Sequence, residues 1–218
     1  RVPPYASAGI TSAMTLKLLN GFNLNDIRHN STEMLHLYIS AARLAYADRF
    51  KYIADPDFVE VPWKGLLSDD YTKLRRSTIG INSSPILEAG DPWAEEGRRP
   101  VVVLPASNPG WDDGTTHLCV MDGEGNAVSL TNTLMAGFGS GIVPRGTGVT
   151  MNNGMMWFDP VPGRVNSIAP GKIGLNNMTP ALVMDGGTVK MVLGASGGRR
   201  ITNCVSQIIV KVLDFDMG

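Results

Sequence analysis

The sequence predicts an α+β fold. Apolar residues recur with a helical period of about 3.6 in the first half of the chain and with a period of 2 in the second. The strand-like segments are also apolar on nearly both faces, which requires helices to cover them in a layered arrangement.

The first helix is read in "TSAMTLKLLNGF", where Ile10, Met14, Leu18 and Leu19 form one stripe, with Thr11 or Ser12 as its cap and Gly21 as its terminator. A longer helix follows in "NSTEMLHLYISAARLAYADRF". Asn30 with Glu33 three residues on suits a capping arrangement, and Met34, Leu37, Tyr38, Ala41, Ala42 and Ala45 make the apolar face. Trp63 and Leu66 precede a short helix capped by Ser68, and from about Ser77 to Asp113 the text has the Pro, Gly and Asn content of loops. "HLCVMD", "NAVSLTNTL", "ALVMD" and "TVKMVLGA" read as strands joined in pairs by "GEG" and "GG" turns. A final helix, "RITNCVSQIIVKVL", turns Ile201, Cys204, Val205, Ile208, Ile209 and Val212 inward.

Composition removes several functions. At 218 residues and 43% hydrophobic content the chain can bury a core. Lys and Arg number 19 against 20 Asp and Glu, without a basic run, which argues against a nucleic-acid partner. The two cysteines, Cys119 and Cys204, read as packing residues, and with the three histidines they show no metal-ligand spacing, so no metal is assigned. "GFGSG" at Gly137–Gly141 is not followed by a helix before Pro144, so no nucleotide site and no other cofactor is assigned. No apolar stretch is long enough to span a membrane. The chain opens at Arg1 and stops just after a helical pattern, so it is expected to be a piece of a longer protein.

Chemistry concentrates around "DDGTTHL" at 112–118. If Asp122 pairs with Asn126 across Gly123, Glu124 and Gly125, Thr115 falls opposite Thr133, with their Cβ atoms about 5 Å apart. Such a pair is an ordinary stabilising feature of hairpins. Cleavage between Gly114 and Thr115 would free an α-amino group of pKa about 7.7 to 8.0, able to act as base for the Thr115 hydroxyl, so that no histidine is needed. Glycine at 114 suits the close approach of that hydroxyl to its own preceding carbonyl. Further on, "GASGGRRIT" ends a strand in Gly197 and Gly198 and opens a helix; this is either a tight turn or a set of backbone N–H donors for an anion.

"TTHLCVMDGEGNAVSLTNTL", "FGSGIVPRGTGVTMNN", "LNNMTPALV" and "GASGGRRI", with "PPYASAGI", "AYADR" and "DPDFVEVPW" upstream, resemble the gamma-glutamyltranspeptidase family of N-terminal nucleophile enzymes. The resemblance spans nearly the whole chain. It implies a four-layer αββα sandwich, incomplete over these residues, and a proenzyme that cuts itself before Thr115. Residues 1–114 would then close the large subunit and 115–218 open the small one. Thr115 becomes the nucleophile, Thr133 its supporting hydroxyl, and Gly197 and Gly198 the oxyanion hole.

The family's pattern also implies a substrate pocket, and there this sequence departs from it. Gly154 and Trp157 stand where members carry polar groups for the glutamyl α-amino group, Asn176 and Asn177 replace paired serines, and Met135 replaces a polar residue. Asn153, Asn176 and Asn177 are the candidate substrate contacts. Met156 and Trp157 either line a more apolar acyl pocket or belong to the core, and the short segment from Pro162 to Leu175 implies an open site. The expectation is an amidase or acyltransferase that takes a small amide substrate, with water or an amine as acceptor. Its partners are the rest of its own large and small subunits, and the family resemblance implies export. A cephalosporin acylase or oxamate amidohydrolase type of specificity, and a non-catalytic scaffold, are the competing readings.

Overall fold

Serine hydroxyls start two of the helices. In a computed structural model that describes residues 7–82, 88–97 and 114–217, Ser31 accepts from Met34 N at 3.1 Å to begin α2 (Thr32–Tyr52), and Ser68 accepts from Tyr71 N at 3.1 Å to begin α4 (Asp69–Arg76). The cap of α2 is thus one residue later than expected. Asn30 instead takes a left-handed conformation, φ 56°, that turns the chain into the helix. The first helix, α1 (Gly9–Leu19), begins at Ala8 without a side-chain cap, and Thr11 and Ser12 lie inside it, buried. Gly21 is not a left-handed terminator either. A Cβ there would meet the Arg76 guanidinium, which donates to the carbonyls of Lys17 and Leu18 and so satisfies the end of α1. The other helical elements among the described residues of this half are a 3-10 turn at Leu24–Asp26, a single turn, α3 (Trp63–Leu66), and a 3-10 turn at Pro92–Glu96.

Among the described residues four strands follow in two antiparallel hairpins, β1 (Thr115–Met121) with β2 (Ala127–Thr133) and β3 (Ala181–Asp185) with β4 (Thr188–Leu193). The class is α+β, as the change of period requires. Ser129 joins the hairpins: its hydroxyl donates to Leu193 O at 2.9 Å and accepts from Ala181 N at 3.2 Å. The helix α5 (Arg200–Leu213) packs Ile201, Val205 and Ile209 against Ala181 and Leu193.

Its buried stripe differs from the expected one. Thr202, Ser206 and Val210 are buried, while Cys204 and Ile208 are exposed and Val212 is half-buried. Polar residues can face inward here because they are satisfied. Ser206 Oγ reaches Thr202 O at 2.8 Å and Ser12 Oγ at 3.0 Å, and the small side chains let α1 and α5 approach. Cys119 and Cys204 are both free and exposed, so neither is a core residue. The expected cover on both sheet faces is absent among the described residues, where Leu118, Val120, Val128 and Leu130 of the outer face remain exposed. Much of the expected irregular segment, at 83–87 and 98–113, and the start of the motif at Pro3 lie outside the described residues.

Candidate active site

Strand alternation puts Thr115, His117, Cys119, Ser129, Thr131 and Thr133 on one face of the first hairpin. The pairing is the expected one, Thr115 opposite Thr133, and the two hydroxyl oxygens lie 2.9 Å apart. Just beyond, the ladder bulges: Leu134 N donates to Gly114 O at 2.8 Å, and Gly114 N donates to Met135 O at 2.8 Å, so two residues of one strand oppose Gly114. Met135 has φ 73° and is 1% exposed, an uncommon conformation for a buried non-glycine residue. It aims Met135 N at Thr133 Oγ1, 2.9 Å away. The Thr133 hydroxyl is also 3.3 Å from Gly114 O, so it touches both the Thr115 hydroxyl and the carbonyl preceding it.

Glycine at 114 answers to a close contact that the sequence does not disclose. A Cβ at this position would stand 2.6 Å from Ala136 O. That carbonyl accepts from Gly139 N at 2.9 Å, and the backbone leading to it is fixed by Asn153, whose Oδ1 accepts from Ala136 N at 3.0 Å and whose backbone N donates to Leu134 O at 3.1 Å. Asn153 therefore braces the bulge. Its amide nitrogen lies 3.2 Å from Met156 Sδ.

His117 sits one step along the same face, with Nδ1 at 2.8 Å from Thr131 Oγ1 and Nε2 at 3.2 Å from Cys119 Sγ. Burial holds its pKa below the usual imidazole value. Its ring covers Gly194, where a Cβ would fall 2.1 Å from Cε1. From Gly194 the chain runs to Gly197 and Gly198, at φ 115° and 59°, and then into α5. Both glycines are thus required by the turn, whatever their N–H groups bind.

Two residues of α2 that sequence reasoning did not single out secure the loops. Tyr46 Oη donates to Arg199 O at 2.8 Å, directly after the glycine pair. Arg49 is fully buried and donates to Asn176 O at 2.6 Å, Asn177 Oδ1 at 3.5 Å, Ser7 O at 3.1 Å and Thr11 Oγ1 at 3.1 Å. Burial lowers its pKa to about 10. The available signal was its place at the end of the face formed by Ala41, Ala42 and Ala45, where an arginine must find internal acceptors. Asn176 Oδ1 accepts from Met178 N at 3.1 Å, and Asn177, half-buried, turns its oxygen toward Arg49. Trp157 packs on Gly154, where a Cβ would lie 2.8 Å from the indole; Met156 is exposed. The segment from Pro162 to Leu175 is tied to the body through Ile173 N, which donates to Asp55 Oδ2 at 2.7 Å.

A family model described as Gamma-glutamyltranspeptidase matches residues 1–218. The chain belongs to the gamma-glutamyltranspeptidase family. It is 38% identical over 220 residues to a glutathione hydrolase proenzyme of Bacillus subtilis subsp. natto, covering 99% of this chain and 37% of that protein. It is 35% identical over 215 residues to the acylase ACY 1 proenzyme of Pseudomonas sp. (strain V22), with 99% and 36% covered. Among solved structures, a cephalosporin acylase from Bacillus halodurans superposes with a TM-score of 0.82 at 27% identity, over 99% of this chain and 36% of that one. The chain thus spans little more than a third of the length of these relatives. Members of the family include enzymes named as hydrolases and as acylases, and the N-terminal nucleophile hydrolase fold fits the α+β arrangement described above.

Proposed function

We propose that this chain carries the reactive centre of a self-processing amidohydrolase or acyltransferase, with the boundary of its two subunits between Gly114 and Thr115. The observation that supports it most is the 2.9 Å approach of Thr115 and Thr133 at the start of the hairpin, directly after the constrained Gly114. After cleavage the Thr115 amine takes the proton of its own hydroxyl, the oxygen attacks an amide carbonyl, and the acyl-enzyme passes to water or an amine. Gly197 and Gly198, at the turn into α5, are the oxyanion donors in this reading. The remainder of the large and small subunits completes the site.

A broader acyl specificity than γ-glutamyl is the second reading, favoured by the fate of Met135. With its side chain buried it offers no polar contact to a substrate, and Trp157 over Gly154 replaces two more polar positions. Each lost contact to a charged group removes about 1.5–3 kcal/mol of binding, or roughly one to two orders of magnitude in affinity. Asn176 and Asn177, held by Arg49, remain as candidate substrate contacts, with Asn153 supporting the bulge.

The test uses the full-length protein. N-terminal sequencing is expected to find a new terminus reading Thr-Thr-His, and Thr115→Ala to leave the chain intact and without turnover of γ-glutamyl, glutaryl and simple anilides. An intact wild-type chain, or turnover that survives Thr115→Ala, defeats the reading.

A further inference from the structure

Oxyanion donors serve turnover only when they are aimed. Gly197 and Gly198 stand in series at φ 115° and 59°, where the lack of a Cβ permits the backbone many directions, so the two residues do not by themselves fix where their N–H groups point. Neither N–H is spent on a protein acceptor among the described residues, whereas both carbonyls are engaged: Gly197 O accepts from Arg200 N and Gly198 O from Ile201 N, each at 3.1 Å. The direction of the two donors therefore follows the first turn of α5, and whatever holds that turn holds them.

The helix α2 grips it at its outset. Tyr46 Oη donates to Arg199 O at 2.8 Å, and Arg199 is the residue between the second glycine and the helix. Phe50, one turn further along α2, lies under the Arg199 guanidinium at 5.2 Å, with the Tyr46 and Phe50 rings 5.9 Å apart. Backbone and side chain of Arg199 are thus both held from one face of α2. Tyr38 Oη donates to Asn203 O at 2.9 Å, which is the same kind of bond between the same two helices, one turn of α5 further from the glycines. The two tyrosines differ in what adjoins the carbonyl they hold: the glycine donors for Tyr46, the interior of a helix for Tyr38.

We infer that Tyr46 is a positioning residue for turnover, holding the Gly197 and Gly198 turn through Arg199 from across the subunit boundary; this rests on the reading above, in which those glycines donate to the oxyanion and the backbone opens between Gly114 and Thr115. The helix α2 lies before that break and the turn lies after it. Once the chain is cut, the contact joins two polypeptides, so the large subunit sets the aim of donors carried by the small one. Tyr46 touches no reacting atom. Without its hydroxyl Arg199 is held from α2 by Phe50 alone, and the glycine N–H groups stray from the line of the developing oxyanion, which they serve in the tetrahedral state more than in the substrate complex. The loss therefore falls on kcat and leaves KM in place.

The experiment compares cleaved, full-length wild type with Tyr46→Phe and Tyr38→Phe on whichever of the γ-glutamyl, glutaryl and simple anilides wild type turns over. Tyr46→Phe is expected to lower kcat about 10-fold with KM within about 2-fold, because a small misplacement of positioned groups costs roughly one to two orders of magnitude in rate. A boronic acid with the same acyl chain, which becomes tetrahedral on the Thr115 hydroxyl, is expected to bind more weakly in proportion to kcat/KM. Tyr38→Phe removes a like bond and is expected to stay within about 2-fold of wild type in kcat. Phe50→Leu, the second variant should Tyr46→Phe yield no cleaved protein, is expected to lower kcat by about 3-fold or more. Wild-type kcat in the cleaved variant, equal losses from the two tyrosines, or a rise in KM alone overturns the clamp. If wild type depends on Thr115 and Tyr46→Phe keeps its kcat, the clamp alone falls; if wild type turns over none of these anilides, or Thr115→Ala still does, the reading beneath it falls.

Discussion

A methyl group on Gly114 would press on the Ala136 carbonyl, which accepts from Gly139 N at 2.9 Å and follows a peptide N–H held by Asn153, so it cannot swing away as a flexible side chain would. Gly114→Ala is therefore expected to destabilise the full-length protein by about 1–3 kcal/mol, read as a lower urea midpoint at unchanged slope, and to slow appearance of the Thr115 terminus. Met135 shows the opposite balance. Its left-handed backbone costs about 1–2 kcal/mol, but its near-complete burial returns as much or more, so the bulge persists. His117 adds a pH term of known sign. Because burial lowers its folded-state pKa below the unfolded value of about 6.5, the unfolded chain binds the proton first as pH falls. Its contribution is present above about pH 6.5 and is lost as pH drops toward the folded pKa. His117→Gln is expected to flatten that part of the stability profile between about pH 5 and 7, measured by denaturation midpoints; an unchanged slope would remove His117 as its source.

Among the elements, α2 does more than its apolar face foretells. Tyr38 Oη donates to Asn203 O at 2.9 Å, Tyr46 holds Arg199 O, and Arg49 holds Asn176 O, so one helix fixes α5, the glycine turn and the asparagine pair. Arg49→Met keeps most of the stem but removes the guanidinium donors to Asn176 O, Thr11 Oγ1 and Ser7 O. Relief of a buried cation opposes this, yet the loss of these bonds at about 1–3 kcal/mol each outweighs it. Expected is a net loss of about 1–3 kcal/mol, with amide exchange rising at 176–179 more than within α2; uniform exchange would show that Arg49 does not anchor the loop. These contacts explain what the sequence could and could not disclose. The threonine pairing was legible because turn length fixes hairpin register, and α4 because Ser68 is a local cap. The cap of α2 slipped by one because Asn30 and Ser31 are both competent, and only the left-handed turn chooses between them. The buried Thr202 and Ser206 stripe, the Ala136 contact and the reach of Arg49 depend on partners distant in the chain, which no local pattern records.

Across the whole molecule, charge is nearly balanced and α5 packs on the second hairpin through Ile201, Val205 and Ile209, while among the described residues one face of the first hairpin stays exposed and is unlike the rest of the surface. Leu118 faces Leu130 and Val120 faces Val128 across the first hairpin, and the four are 45%, 48%, 56% and 53% exposed in that order of naming. Contiguous apolar surface of this kind is uncommon on a free protein and marks an interaction face. Relatives that extend well beyond the matched span offer an occupant, since this chain covers only 37% of the natto relative. The prediction follows from burial. The 218-residue polypeptide alone is expected to bind a hydrophobic dye and to associate, and Leu118→Lys to reduce both. In the full-length protein the same substitution would place a charge in a covered layer and is expected to lower folding yield, because an unpaired buried charge costs several kcal/mol. The opposite signs are the informative result: if Leu118→Lys is harmless in the full-length protein, the outer face of the hairpin is not covered by the remainder of the chain, and the layered sandwich does not close over it.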